Sequence, residues 1–347
     1  MRVFIAAPDI WQGDAVGNHC FGLMRMARRI GLEASLYAQR FSNGVFPIEK
    51  LFEEITEHDL LILSYSIYDP ILERFLALRC RKWCYFHGVT PARLLQDFEP
   101  ITADLCNRSV DQFKDLRHFD IVIANSEFTA SSLLSHMRVD QIQIIPPVCI
   151  DMPFFCSKKV FTALFSSEKQ KKLLLLGRVV PHKCVEDAID ILLNVRAAGI
   201  DAQLTIIGST PNKTYHEHLK KKAYSNDIAS FVVMTGTLDD EQLYAHFSSA
   251  DLFLSVSRHE GFCVPVLEAM HLGIPTLVRS GTAASELGSD SVFHFSNIRE
   301  ASESTISLLT NPNHAAALSK AGQRRSAEIL ERANDDVWRN LFAINKH

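Results

Sequence analysis

Short apolar runs alternate with longer amphipathic segments through almost the whole chain, a rhythm that belongs to βαβ units stacked into parallel sheets. In the first half the runs fall at residues 3–7, 34–38, 60–64, 83–86, 121–124 and 142–145; in the second they fall at 173–176, 204–207, 231–234, 252–255, 276–278 and 292–295. Between the two sets, Pro146, Pro147, Pro153 and the polar run Ser166 to Gln170 break the alternation. The pattern predicts two doubly wound α/β domains in tandem, residues 1–155 and 172–329, joined by a linker at 156–171. A length of 347 residues suits two such domains. Helical stretches at about 315–330 and 333–344 have no strand after them, and the last of the chain, about 330–347, is expected to pack back on the first domain.

Helix ends support this division. Asp239 or Asp240 is placed to cap a helix through Leu243 and Phe247. Glu186 and Asp187 put acids in the first turn of another, which Gly199 ends. His216 and His218 flank Glu217 at a helix start; with no third ligand at metal spacing they read as an exposed turn, and no metal site is expected.

With 47% hydrophobic residues, 22% charged and a formal charge of -4, the chain reads as globular and offers no basic footprint for a nucleic-acid partner. Its eight cysteines form no CxxC pair and several lie in apolar runs, so they read as reduced, buried thiols of a cytoplasmic protein. The first strand begins directly after Met1-Arg2, which leaves no room for a signal peptide, and no apolar run is long enough to span a bilayer. Arg25, Arg28 and Arg29, with Arg79, Arg81 and Lys82 before Trp83, could form a basic face for peripheral contact with anionic lipid at the inner side of a membrane, although such a charge cluster is more often a solvated surface.

Chemistry concentrates at residues 257–270, Ser-Arg-His-Glu-Gly-Phe-Cys-Val-Pro-Val-Leu-Glu-Ala-Met. Pro265 suits the first position of a helix ending near Gly273, so Glu260 falls in the loop before it and Glu268 about one turn inside. Earlier in the same domain, Leu173-Leu-Leu-Leu-Gly-Arg-Val-Val-Pro-His-Lys is a strand that empties into a loop bearing Gly177, Arg178 and Lys183. Two cations beside a helix start suit a diphosphate. Carboxyl ends of parallel strands face one side, so Arg178, Lys183, Glu260 and Glu268 are expected to converge.

On these motifs, and on His-Leu-Gly-Ile-Pro-Thr after them, the second domain resembles retaining glycosyltransferases of family four. The resemblance implies the GT-B fold, two Rossmann-like domains facing a central cleft, and identifies Glu260 and Glu268 with the family's E-x7-E motif. By resemblance Glu260 holds donor-sugar hydroxyls and Glu268 the ribose. The backbone amides of Gly261, Phe262 and Cys263 approach sugar and phosphates, and Arg178 and Lys183 neutralise the diphosphate. His259 takes a loop-positioning role. Cys184 stands where the family usually has glycine.

The first domain carries fewer signals. Its Gly13-Asp-Ala-Val-Gly-Asn-His loop is either a place where backbone, at Gly17, approaches a phosphate or a plain strand-to-helix turn. Tyr85-Phe86-His87-Gly88-Val89-Thr90-Pro91 is similar to a stretch of bacterial family members that build surface polysaccharide, many of them mannosyltransferases, and implies that His87 faces the donor sugar.

The expected function is therefore a metal-independent, retaining transferase that moves a hexose, mannose favoured, from GDP-mannose or another nucleotide sugar to a glycan or lipid-linked acceptor in polysaccharide or lipopolysaccharide synthesis, with no cofactor. No Asp-x-Asp motif occurs. The alternatives are a non-catalytic homologue that partners or stabilises an active enzyme, and a glycoside hydrolase using Glu260 and Glu268, which is disfavoured because both lie on one loop and one helix turn.

Overall fold

A computed structural model describes residues 1–149 and 170–344. Of these, residues 1–89, 104–149 and 329–344 form one compact unit, and residues 90–103 and 170–328 form the other.

The first unit holds seven parallel strands: β1 (Arg2–Ile10), β2 (Glu33–Phe41), β3 (Phe46–Pro47), β4 (Leu60–Tyr65), β5 (Arg81–Phe86), β6 (Ile121–Ala124) and β7 (Ile142–Ile144). Their order is β3-β2-β1-β4-β5-β6-β7. All six residues of β4 are buried, as a central strand covered on both faces requires. Alternate residues of β4 and β5 supply two cores. Ile62, Trp83 and Tyr85 face helix Ala15–Arg29, and Leu61, Leu63, Cys84 and Phe86 face Phe113 and Leu116. The C-terminal helix Asp335–Ile344 completes the first core. Its Trp338 is fully buried, the Phe342 ring stacks 5.0 Å from Trp83, and Asp335 pairs with Arg29 at 2.7 Å.

The second unit holds six: β8 (Lys171–Leu176), β9 (Ala202–Ile207), β10 (Val232–Gly236), β11 (Leu252–Ser255), β12 (Thr276–Arg279) and β13 (Phe293–Phe295), in the order β10-β9-β8-β11-β12-β13. Chain order thus reverses between β8 and β11, and in such sheets ligands bind outside the carboxyl ends of the strands at that reversal. In the first sheet the reversal lies between β1 and β4.

The apolar runs of the sequence coincide with every strand but β3, whose two residues include a proline and carry no pattern. The runs stop short of the ends of β1 and β2, whose ladder continues through Asp9↔Arg40 and Ile10↔Phe41, where an Arg40–Asp9 ion pair replaces the apolar signal. The expected linker at 156–171 lies almost wholly outside the described residues. Residues 90–103, within the stretch assigned from sequence to the first domain, pack with the second unit.

Candidate functional site

Two loops meet at the reversal point of the second sheet. Leaving β8, the chain passes Gly177 and Arg178, makes one tight turn at Pro181–Lys183, and enters helix Val185–Ala197. Leaving β11, it passes His259 and Glu260 and enters helix Val264–His271. Lys183 Nζ donates to Glu260 Oε1 at 2.6 Å, and the two side chains are only 16% and 10% exposed. Ser257 also hydrogen-bonds the Glu260 carboxylate. Burial opposes both charges, yet their mutual attraction outweighs it. The Lys183 pKa is raised and that of Glu260 lowered, so the pair is ionised at neutral pH. Arg178 is exposed and forms no hydrogen bond or ion pair with the described residues, while its charge is felt at Lys183 and His182.

The backbone that presents these groups is unusual at three places. Gly208, after β9, lies so close that a Cβ there would sit 2.0 Å from the Gly177 carbonyl oxygen; this lets Gly177 N–H donate to Ile207 and Val179 N–H to Ser209. Cys184 has φ +50 and ψ 47, and Cys263 has φ 76 and ψ 67, both left-handed and both directly before a helix. A side chain makes that conformation costly, while glycine adopts it freely. Cys184 therefore takes the backbone shape of the glycine that the resemblance leads one to expect there.

Pro265 is the second residue of its helix, and the amides of Phe262 and Cys263 make no hydrogen bond to the described residues. Glu268, 3% exposed, does not join the Lys183 pair. Burial, with the Asp240 charge adding to it, lifts its pKa to about 8, so its carboxyl is protonated at neutral pH. The structure thus brings Lys183 and Glu260 into contact, puts Arg178 within electrostatic reach, and keeps Glu268 on the same loop-helix wall in a different charge state.

Three neighbours carry no role that the sequence alone assigns. His182 lies in the Lys183 turn; burial and the Lys183 charge lower its pKa to about 3, and its Nδ1 has no hydrogen-bond partner among the described residues. Arg279, at the end of β12, donates to Val256 O at 2.9 Å and pairs with Asp187, tying the start of one loop to the helix after the other. Ser257 became visible only through its contact with Glu260.

His87 and Gly17 belong to the first unit. His87 follows β5; its N–H donates to Tyr65 O at 2.9 Å, its carbonyl accepts from Asn125 Nδ2 at 3.3 Å, and its Nε2 lies 2.6 Å from Ser64 Oγ. Burial lowers its pKa to about 3, so the ring is neutral. His19 stacks on Tyr85 at 3.9 Å, stands edge-on to His87 at 5.2 Å, and accepts Val148 N–H at Nδ1. That bond puts the proton of a neutral His19 on Nε2. A Cβ on Gly17 would lie 1.9 Å from Trp11 O, so close approach of the Trp11 backbone is what requires glycine there.

Of the suggested basic face, Arg28 bonds Ala34 O, Arg29 pairs with Asp335, Lys82 Nζ bonds Leu78 O, and Trp83 is buried. His216 and His218 are the fourth and sixth residues of helix Lys213–Ser225, and no group of three metal-capable side chains occurs among the described residues. Seven of the cysteines are described; all are buried, and no disulfide joins them. No helix among the described residues is long and apolar enough to cross a membrane.

Residues 157–325 match the family model described as glycosyl transferases group 1. The matched segment is a group 1 glycosyltransferase domain, of the family-four type. All four residues expected to converge, Arg178, Lys183, Glu260 and Glu268, fall within this glycosyltransferase segment. Over 162 residues, 44% of this chain and 42% of the relative, it is 30% identical to the GDP-mannose-dependent alpha-(1-6)-phosphatidylinositol monomannoside mannosyltransferase of Mycolicibacterium smegmatis. The chain spans about two fifths of the length of such curated relatives. Among solved structures, a glycosyltransferase from Rickettsia africae covers 100% of this chain and 99% of its own at a TM-score of 0.72 and 14% identity. Anabaena HepE, in complex with UDP and glucose, covers 99% and 100% at 0.69 and 14%. At such identity the likeness is one of fold, and it is the GT-B fold.

Proposed function

We propose that this glycosyltransferase moves a hexose, mannose in the reading favoured here, from a nucleotide sugar to a glycan or lipid-linked acceptor, with retention of anomeric configuration and without a metal. The observation that carries the proposal is the buried Lys183–Glu260 pair, with Arg178 beside it, at the reversal point of a sheet that lies in the matched family segment. A nucleoside diphosphate leaves with growing negative charge, and fixed cations in a water-poor site stabilise that charge more in the transition state than in the ground state. Lys183 has three N–H donors and gives one to Glu260, which leaves others for phosphate oxygens. Glu260, anchored by Lys183 and Ser257, keeps acceptor capacity for sugar hydroxyls. Glu268, protonated, both donates and accepts, which suits the vicinal hydroxyls of a ribose. His87 is assigned to the sugar from the first unit, where its neutral ring offers a hydrogen bond without a charge.

The amides of Gly261, Phe262 and Cys263 are assigned to sugar and phosphate, and Gly17 to the donor side of the first unit. GDP-mannose is the favoured donor because the Mycolicibacterium smegmatis relative is GDP-mannose-dependent. Polysaccharide or lipopolysaccharide synthesis in the cytoplasm, with peripheral membrane contact, completes the proposal; co-sedimentation with anionic vesicles tests the last part.

The deciding experiment incubates the purified chain with GDP-, UDP- and ADP-sugars in EDTA and follows nucleotide release and product anomer by NMR. Turnover that is lost in Arg178→Ala and Glu260→Ala, with both variants folded, is the expected result. Unchanged rates in those variants, or an inverted product, would overturn the assignment. Cleavage of glycans without any nucleotide would revive the hydrolase reading.

A further inference from the structure

Residues Thr90–Ala103 begin three residues after His87, yet they pack with the second unit. At one end of this strap Thr90 Oγ1 lies 3.4 Å from His259 Nδ1, and the Arg93 charge is felt at the same ring. At the other end the Phe98 ring is partly buried against the second unit's core and meets Tyr215 edge to face at 5.1 Å. Asn212 fixes that contact twice: its Nδ2 donates to Phe98 O at 2.8 Å, and its Oδ1 accepts from Tyr215 N–H at 2.9 Å. Tyr215 OH in turn accepts Val185 N–H at 3.1 Å and donates to the Glu186 carboxylate.

Val185 follows Cys184 and Lys183, and His259 precedes Glu260. The strap therefore reaches both loops within two residues of the ion pair that joins them, the Glu260 loop directly at His259 and the Lys183 turn through Tyr215. Each loop enters its helix through a left-handed cysteine, a conformation that the surroundings must hold in place.

We propose that the strap is a positioning element for the diphosphate site, with Phe98 bracing the Lys183 turn through Tyr215 and Thr90 bracing the Glu260 loop through His259. This rests on the function proposed above, because it assumes that the site takes a nucleoside diphosphate. Phe98 and Thr90 touch no reacting atom in this account; they act through Lys183 and Glu260. Their effect is on the geometry in which phosphate is met, so it belongs to donor binding and KM more than to kcat. Small misplacements of such groups are expensive, since binding and rate both depend on the reacting geometry being held.

The test is calorimetric titration of GDP, with UDP and ADP in parallel, into the wild-type chain and into Phe98→Ala, Phe98→Tyr and Thr90→Val, well below each melting temperature. Donor KM and kcat are measured on the same preparations. The expected result is at least a tenfold loss of diphosphate affinity in Phe98→Ala, recovery in Phe98→Tyr, and a two- to fivefold loss in Thr90→Val, with KM moving more than kcat. Should Phe98→Ala fail to fold, Phe98→Leu removes the ring and keeps apolar bulk, and the same loss of affinity is expected. Wild-type binding that is unchanged in the variants, whatever their melting temperatures, would overturn the strap's role and leave the site assignment standing. A wild-type chain that binds none of the three nucleotides would overturn the site assignment itself, and the strap's role with it.

Discussion

At the reversal point of the second sheet the chain buries opposite charges, and at that of the first it gathers neutral rings. Lys183 and Glu260 are ionised and hold each other, whereas His19 and His87 are stripped of charge by the burial that stacks them around Tyr85. Two sheets with parallel strands and a reversal in the same place have thus been given opposite electrostatics. The topology supplies a rim with free side-chain positions, and the residues after β8, β11 and β5 decide whether that rim receives charge or stays neutral. A diphosphate needs the first kind; an uncharged sugar is better served by the second.

The largest expected effect separates the two regions. Lys183→Met leaves Glu260 buried without its partner and should cost about 3–5 kcal/mol of stability in urea unfolding. The double variant Lys183→Met/Glu260→Gln should recover most of that loss. Ser64→Ala removes a partner of His87 without stranding a charge and should cost about 1 kcal/mol. Equal losses in the two single variants would dissolve the contrast.

Titration sharpens it next. Glu268 has a folded pKa of about 8 against an ordinary 4.5, so the folded state holds a proton that the unfolded state has released. Its contribution to stability is complete below pH 4.5 and is lost as pH rises through 8. Glu268→Gln should then raise the melting temperature at pH 8.5 and hardly at all at pH 5; a uniform shift at both would show that the carboxyl is not protonated. His87 behaves in the opposite sense. Its folded pKa of about 3 lies below the ordinary 6.5, so stability is lost as pH falls from 6.5 toward 3, and His87→Gln should lower by one the protons taken up on acid unfolding. An unchanged proton count would mean that the ring is already charged in the fold.

The smallest effect concerns Cys184. Cys184→Gly removes left-handed strain but adds freedom to the unfolded chain, so a gain of no more than about 1 kcal/mol is expected. A loss greater than that would show the buried thiol to be worth more than the strain.

Much of this was legible from residue order because parallel strands buried on both faces read as unbroken apolar runs, and because Gly-Arg, Lys183 and the two glutamates sit at the ends of such runs. Other features depend on distances in space. His182 gains its environment from Glu260, 78 residues on, and Arg279 its role from Asp187 and Val256. Phe98 reads as one aromatic in a polar loop, and its contacts with Tyr215 and Asn212 exist only in the folded chain. The charge state of Glu268 was hidden too, since spacing placed the carboxyl correctly on its helix while burial decides whether it carries a proton. Nothing in the sequence around Gly208 points to the Gly177 carbonyl, whose close approach is what requires glycine there.

The central claim is that the charged rim of the second unit binds a nucleoside diphosphate and releases it as sugar is transferred. Nucleotide release from GDP-mannose, compared between wild type and Arg178→Ala, tests it most directly, because Arg178 is exposed and its loss strands no buried partner. The account predicts a fall of at least a hundredfold in kcat/KM with an unchanged melting temperature in the absence of ligand. Equal rates in the two proteins would contradict it.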